Sequence, residues 1–83
     1  MYGRAINFTL LAPSLWSVVE AVAQPVEEDG IKRNLFKASD NSGFIIEIFS
    51  FKNVAGANIE VLKAMQGLKE QAMAKVSVLE GSR

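Results

Sequence analysis

Glu47 is the residue best placed to do chemistry, in the run Phe44-Ile45-Ile46-Glu47-Ile48-Phe49-Ser50-Phe51. A carboxylate set among Ile45, Phe49 and Phe51 is partly desolvated, and desolvation makes it a stronger general base. The same residue has a plainer use as the cross-strand partner of Arg4, Lys32 or Arg33. Asn7 and Thr9 stand two residues apart on one strand face, where an amide and a hydroxyl can orient a ligand or simply occupy a wetter patch of sheet. Asn58 either faces a pocket, as a second catalytic candidate beside Glu47, or supports the first turn of a helix. Phe49 and Phe51 would line an apolar site. Trp16 and Tyr2 read as packing or interface anchors, and Met65 and Met73 as core fillers.

The missing residue types narrow the chemistry further. The chain has no histidine and no cysteine, which removes Ser-His-Asp and Cys-His nucleophiles and thiolate or imidazole metal sites. It has no glycine-rich phosphate loop, and its acidic residues lack metal-ligand spacing. We therefore expect no metal and no cofactor. Nine basic and nine acidic residues cancel and form no basic stripe, so neither nucleic acid nor an anionic membrane is an expected partner. There is no signal-peptide pattern and no apolar run near the roughly 18 residues of a membrane span, and the expected location is cytoplasmic.

The elements that must position these residues follow from periodicity. Ala5 to Leu11 alternates, with Ile6, Phe8 and Leu10 on one face, as a half-buried strand does. At Ala12-Pro13-Ser14 the period changes, and Leu15, Val18, Val19, Val22 and Val26 follow at helical spacing, predicting a helix to about Gln24 that Pro25 ends or kinks. Glu27-Glu28-Asp29-Gly30 makes a polar exit with a glycine suited to positive φ. Ile31 to Ala38 reads as an edge strand, its lysines and arginine discouraging unwanted pairing. Ser39 to Gly43 is a turn of about five residues joining it to the strand Phe44 to Lys52. Asn53 then caps a second helix to about Ala74, whose interior Gly67 suggests a close contact. Val76 to Glu80 closes the chain. The reading is a single α+β domain over residues 1–83, of order β-α-β-β-α-β, with two helices on one face of an antiparallel sheet.

Strand Phe44–Lys52 is apolar on both faces: Phe44, Ile46 and Ile48 on one, Ile45, Phe49 and Phe51 on the other. A helix layer covers only one face, so the second needs a partner sheet or a sizeable ligand. A chain of 83 residues without disulfides has a thin stability margin, which oligomerisation with a second copy of itself relieves.

The run Gly43 to Lys52, followed by Ala57-Asn58 and Val61, resembles the dimeric α/β-barrel superfamily, which includes antibiotic-biosynthesis monooxygenase-like proteins. The resemblance covers roughly residues 31–72. It implies a ferredoxin-like fold whose sheets pair face to face in a homodimer, and a site for a small apolar or aromatic ligand lined by Asn7, Glu47, Phe51 and Asn58. The chain departs from the family pattern with Phe51 where many members have tryptophan and Asn58 where they have histidine. Haem chemistry is not expected without the usual axial ligands. Cofactor-free oxygenation stays open, because an electron-rich substrate reacts with oxygen itself once the protein orients it and accepts a proton. Two functions follow: a small-molecule site, catalytic or only binding, and a non-catalytic assembly role in which the apolar face exists to oligomerise. An RNA-recognition-like domain shares the strand order but needs two exposed aromatics on neighbouring central strands and a basic surround.

Overall fold

The computed structural model describes every residue from Met1 to Arg83. Five strands, β1 (Tyr2–Thr9), β2 (Val26–Glu28), β3 (Ile31–Ser39), β4 (Ser42–Phe49) and β5 (Lys75–Ser82), form one antiparallel sheet in the order β2-β3-β4-β1-β5. Helices α1 (Trp16–Val22), α2 (Lys52–Ala57) and α3 (Glu60–Gln71) cover one face. The order is the expected one, with three departures. A short strand, β2, follows Pro25 and pairs with the start of β3, from Val26 opposite Arg33 to Glu28 opposite Ile31. The hairpin between β3 and β4 is tighter than five residues, because pairing continues to Ser39 opposite Ser42 across a bulge after Lys37.

The third departure is that the second helix is broken. Its first piece begins after Phe51 with no side-chain cap, so Asn53 does not have the capping role expected of it. It stops at Asn58, whose backbone leaves helical geometry (φ −121°, ψ 76°). Asn58 Nδ2 donates to the Val54 carbonyl at 2.8 Å, and Arg4 takes the carbonyls of Ala55 and Asn58. Those acceptors are thereby satisfied outside a continuous helical ladder.

The core lies between the sheet and α1 and α3, built from Ile6, Phe8, Leu10, Trp16, Val19, Ala23, Ile45, Val61, Met65 and Ala74. Phe8 meets Trp16 edge-on with centroids 5.4 Å apart. Gly43 makes this possible: a Cβ there would lie 2.8 Å from the Trp16 ring and closer still to the Phe36 carbonyl. Gly30 adopts φ 87° in the β2–β3 turn, as its place after Glu27-Glu28-Asp29 predicts. Two expectations fail. Met73 is outside the core, 73% exposed and left-handed (φ 58°) just past the end of α3. Gly67 has open space where its Cβ would stand, so it marks no close contact.

The two glycines therefore predict opposite outcomes in one urea-unfolding series. Gly43→Ala should destabilise by about 1–3 kcal/mol through overpacking, and Gly67→Ala should stabilise by roughly 0.5–1 kcal/mol through helix propensity.

Candidate functional site

Strand register sets four charged side chains in one row across the helix-covered face. Glu47 on β4 stands opposite Arg4 on β1 and Arg33 on β3, and Arg4 stands opposite Glu80 on β5. The row reads Arg33, Glu47, Arg4, Glu80, with alternating sign. Glu47 is fully buried; its Oε1 accepts from Arg4 Nη1 at 3.2 Å and its Oε2 from Arg33 Nε at 2.8 Å. Two guanidiniums thus compensate one buried carboxylate, the condition under which such a charge is tolerated inside a protein. The cross-strand reading of Glu47 is the observed one for Arg4 and Arg33, while Lys32 pairs with Glu27 at 3.5 Å instead.

Arg4 does more than neutralise Glu47. Its Nη1 donates to the Asn58 carbonyl and its Nη2 to the Ala55 carbonyl, both at 2.9 Å, and its guanidinium lies 5.1 Å from the centroid of the Phe49 ring. Its Nε faces Glu80 Oε1 at 3.4 Å without making a hydrogen bond, a buried donor left unpaired. The arrangement brings Glu47, Phe49 and Asn58 together under α2, with Asn58 contributing its backbone carbonyl.

The remaining candidates do not join them. Asn7 and Thr9 lie on the opposite, uncovered face of β1, beside a small cleft of about 190 Å³ shared with Lys75 and Ser77. Phe51 is 68% exposed at the start of α2. Phe49 is fully buried beneath Arg4, on the face the helices cover. The uncovered face of β4 carries Phe44, Ile46 and Ile48, all half-buried, continued by Phe36 on β3 and Leu79 on β5.

Sequence reasoning missed two features. One is the stacked pair Phe36 and Phe44, with centroids 4.9 Å apart; their pairing on neighbouring strands was readable once the hairpin register was known. Asn7 is the neighbour of Phe44 on β1, so the aromatics do not span the two central strands as an RNA-recognition surface requires. The other is an open cleft of about 500 Å³ at the end of the sheet, reached by Met1, Glu28, Gly30, Ile31, Phe49 and Ser50 among others.

No protein-family model matches the sequence, and no curated protein does. Among solved structures the chain is similar to SnoaB, a cofactor-independent oxygenase from Streptomyces nogalater, with a TM-score of 0.63 at 18% identity, over 99% of this chain and 91% of that one. A mutant of SnoaB matches with a TM-score of 0.55, also at 18% identity, over 99% and 92% of the two chains. The likeness is one of fold, and it extends over the whole α+β arrangement expected from the sequence. No helix is long and apolar enough to cross a membrane.

Breaking the charge row should be costly. Arg4→Met should destabilise by about 3–5 kcal/mol, because it leaves Glu47 buried with one partner fewer; Arg4→Met combined with Glu47→Leu should cost less than the sum of the singles in a double-mutant cycle read by urea unfolding.

Tyr2, two residues before Arg4 on β1 and opposite Phe49 and Ser82, titrates above the ordinary phenol value of 10.0, first through desolvation and then through the negative charge of Glu80, with Arg4 opposing. A phenol whose folded pKa is raised contributes stability that is present below the unfolded value and is lost as pH rises past about 10 toward the folded pKa. Because this is the only tyrosine, ultraviolet absorbance should follow it directly. Glu80→Gln should move its midpoint down.

Proposed function

We propose that the chain is one half of a homodimeric α/β barrel that binds a small apolar or aromatic molecule, with an oxygenase-like reaction that needs no cofactor. The observation that carries this reading is the uncovered sheet face. Phe36, Phe44, Ile46, Ile48 and Leu79 form an apolar strip that no element of the chain covers, and contiguous exposed apolar surface of this kind marks an interaction site. A second copy presenting the same strip would bury both and supply what an 83-residue core lacks.

The oxygenase part draws its support from the likeness in fold to SnoaB. The chemistry asks little of the protein. A deprotonated, electron-rich substrate passes an electron to oxygen, and the resulting radical pair forms a carbon–oxygen bond. The peroxide anion takes back the proton first removed, and the hydroperoxide loses water, with the remaining hydrogen of that carbon, to leave a carbonyl. The protein's part is to exclude water, hold the substrate in position and take up the first proton. Glu47 is the buried carboxylate nearest to Phe49 and Asn58 in this arrangement, and it is our candidate for that proton.

A second reading, assembly without catalysis, has its own observation. Both clefts lie at the rim or on the open face of the sheet, and both oxygens of Glu47 are already engaged. Oxygen uptake separates the two readings. With 1,3-dihydroxynaphthalene as the electron-rich probe, the enzyme reading predicts consumption above the buffer rate that Glu47→Gln reduces about a hundredfold or more. A rate equal to buffer for the wild type would favour assembly alone.

The dimer has a separate test by light scattering. The wild type should weigh near twice the 9.0 kDa of one chain, and Ile46→Lys on the open face should give a folded monomer. Phe49→Lys should unfold the chain instead, since that ring lies in the covered layer. A wild-type monomer would remove the barrel.

A further inference from the structure

Residues 51–59 are tied to the sheet differently from the other helical segments. The helix within them, α2, has six residues; it lacks a side-chain cap, as α1 and α3 do, but Ala55 is its one buried side chain. A helix of this length has no stability of its own. Gly56 faces open space and Phe51 is largely exposed. By contrast α3 drives Val61 and Met65 into the core, and α1 does the same with Trp16 and Val19. What holds the segment down is Arg4, through its two hydrogen bonds to the Ala55 and Asn58 carbonyls.

Beneath the segment lie the groups that have chemistry in them. α2 packs on β1 and β4, the strands that carry Arg4, Glu47 and Phe49. Glu47 and Phe49 have no solvent exposure, and the Nε of Arg4 is a buried donor without a hydrogen bond. Phe49 also borders the 500 Å³ cleft at the sheet end, together with Ser50, the residue just before the segment.

We infer that residues 51–59 are a lid over Glu47 and Phe49, latched by Arg4. Opening exchanges the two peptide carbonyls on Arg4 for water or ligand acceptors and joins the buried layer to the cleft at Phe49. Arg33 keeps its bond to Glu47 throughout, so the carboxylate is never left without a counter-charge. The purpose of the motion, admitting a small molecule to Glu47 and Phe49, rests on the function proposed above. The motion itself does not.

Amide hydrogen exchange read by mass spectrometry tests the lid with no ligand present. In the wild type, the amides of residues 54–58 should exchange about a hundredfold faster than those of 64–68 in α3, with little dependence on low urea, as local opening requires. Arg4→Lys keeps a positive charge beside Glu47 but cannot serve both carbonyls, and should speed exchange at 54–58 about tenfold. Arg33→Lys touches Glu47 but not the segment, and should leave that exchange unchanged. The latch is overturned if residues 54–58 exchange at the rate of α3 with the urea dependence of global unfolding, or if the two lysine variants act alike. Should Arg4→Lys fail to fold, the wild-type rates and their urea dependence decide alone. Absence of oxygen uptake alongside fast local exchange would reject the proposed reaction and leave the lid standing.

Discussion

The interaction on which the rest of the structure depends is the charge row Arg33, Glu47, Arg4, Glu80 across the covered face of the sheet. Each charge belongs to a different strand, so the row forms only when four strands are in one register. A slip of one residue would turn Glu47 to the uncovered face and bring Ile46 or Ile48 to the covered one, leaving two buried guanidiniums without their carboxylate. Apolar alternation alone would discriminate weakly here, because β4 is apolar on both faces. The row supplies the missing discrimination, and the fully engaged oxygens of Glu47 show that its burial is compensated rather than merely endured.

The same row shapes the helical layer. Arg4 reaches past Glu47 to the backbone of residues 55 and 58, so the charge that orders the sheet also stops α2 and sets the entry to α3. A continuous helix from Lys52 to Gln71 would use the Ala55 and Asn58 carbonyls internally and leave two of Arg4's donors unpaired in a dry interior, which is costly. Breaking the helix is the cheaper solution, and Asn58 eases it by bonding back to Val54.

Covering one face leaves the other as the outstanding constraint. The core beneath the helices is closed by Phe8, Trp16, Ile45 and Met65, and Gly43 is needed because the backbone of β3 and the Trp16 ring both crowd that point. Nothing within the chain serves the strip from Phe36 to Leu79 in the same way. Asn7 and Ser77 on that face continue the row of Phe36 and Phe44 across β1 and β5, with Thr9 one row beyond, so at that end the open face changes from apolar to polar across the strands.

The sequence by itself determined the element order, the antiparallel sheet with helices on one side, and the presence of apolar residues on both faces of β4. Each of these follows from periodicity and turn residues that act over a few positions. It also offered three cations, Arg4, Lys32 and Arg33, as partners of Glu47 without choosing among them. Only the tertiary structure decided which of β4's faces the helices cover, that Arg4 and Arg33 take Glu47 while Lys32 does not, and that Asn7 and Thr9 lie away from Glu47 and Asn58. It also decided that the second helix breaks at Asn58 and that Met73 lies outside the core. Those outcomes depend on register and on a side chain bonding to backbone more than fifty residues away. No local pattern encodes such a contact; it exists only once the strands have paired and the donors of a buried arginine must find acceptors.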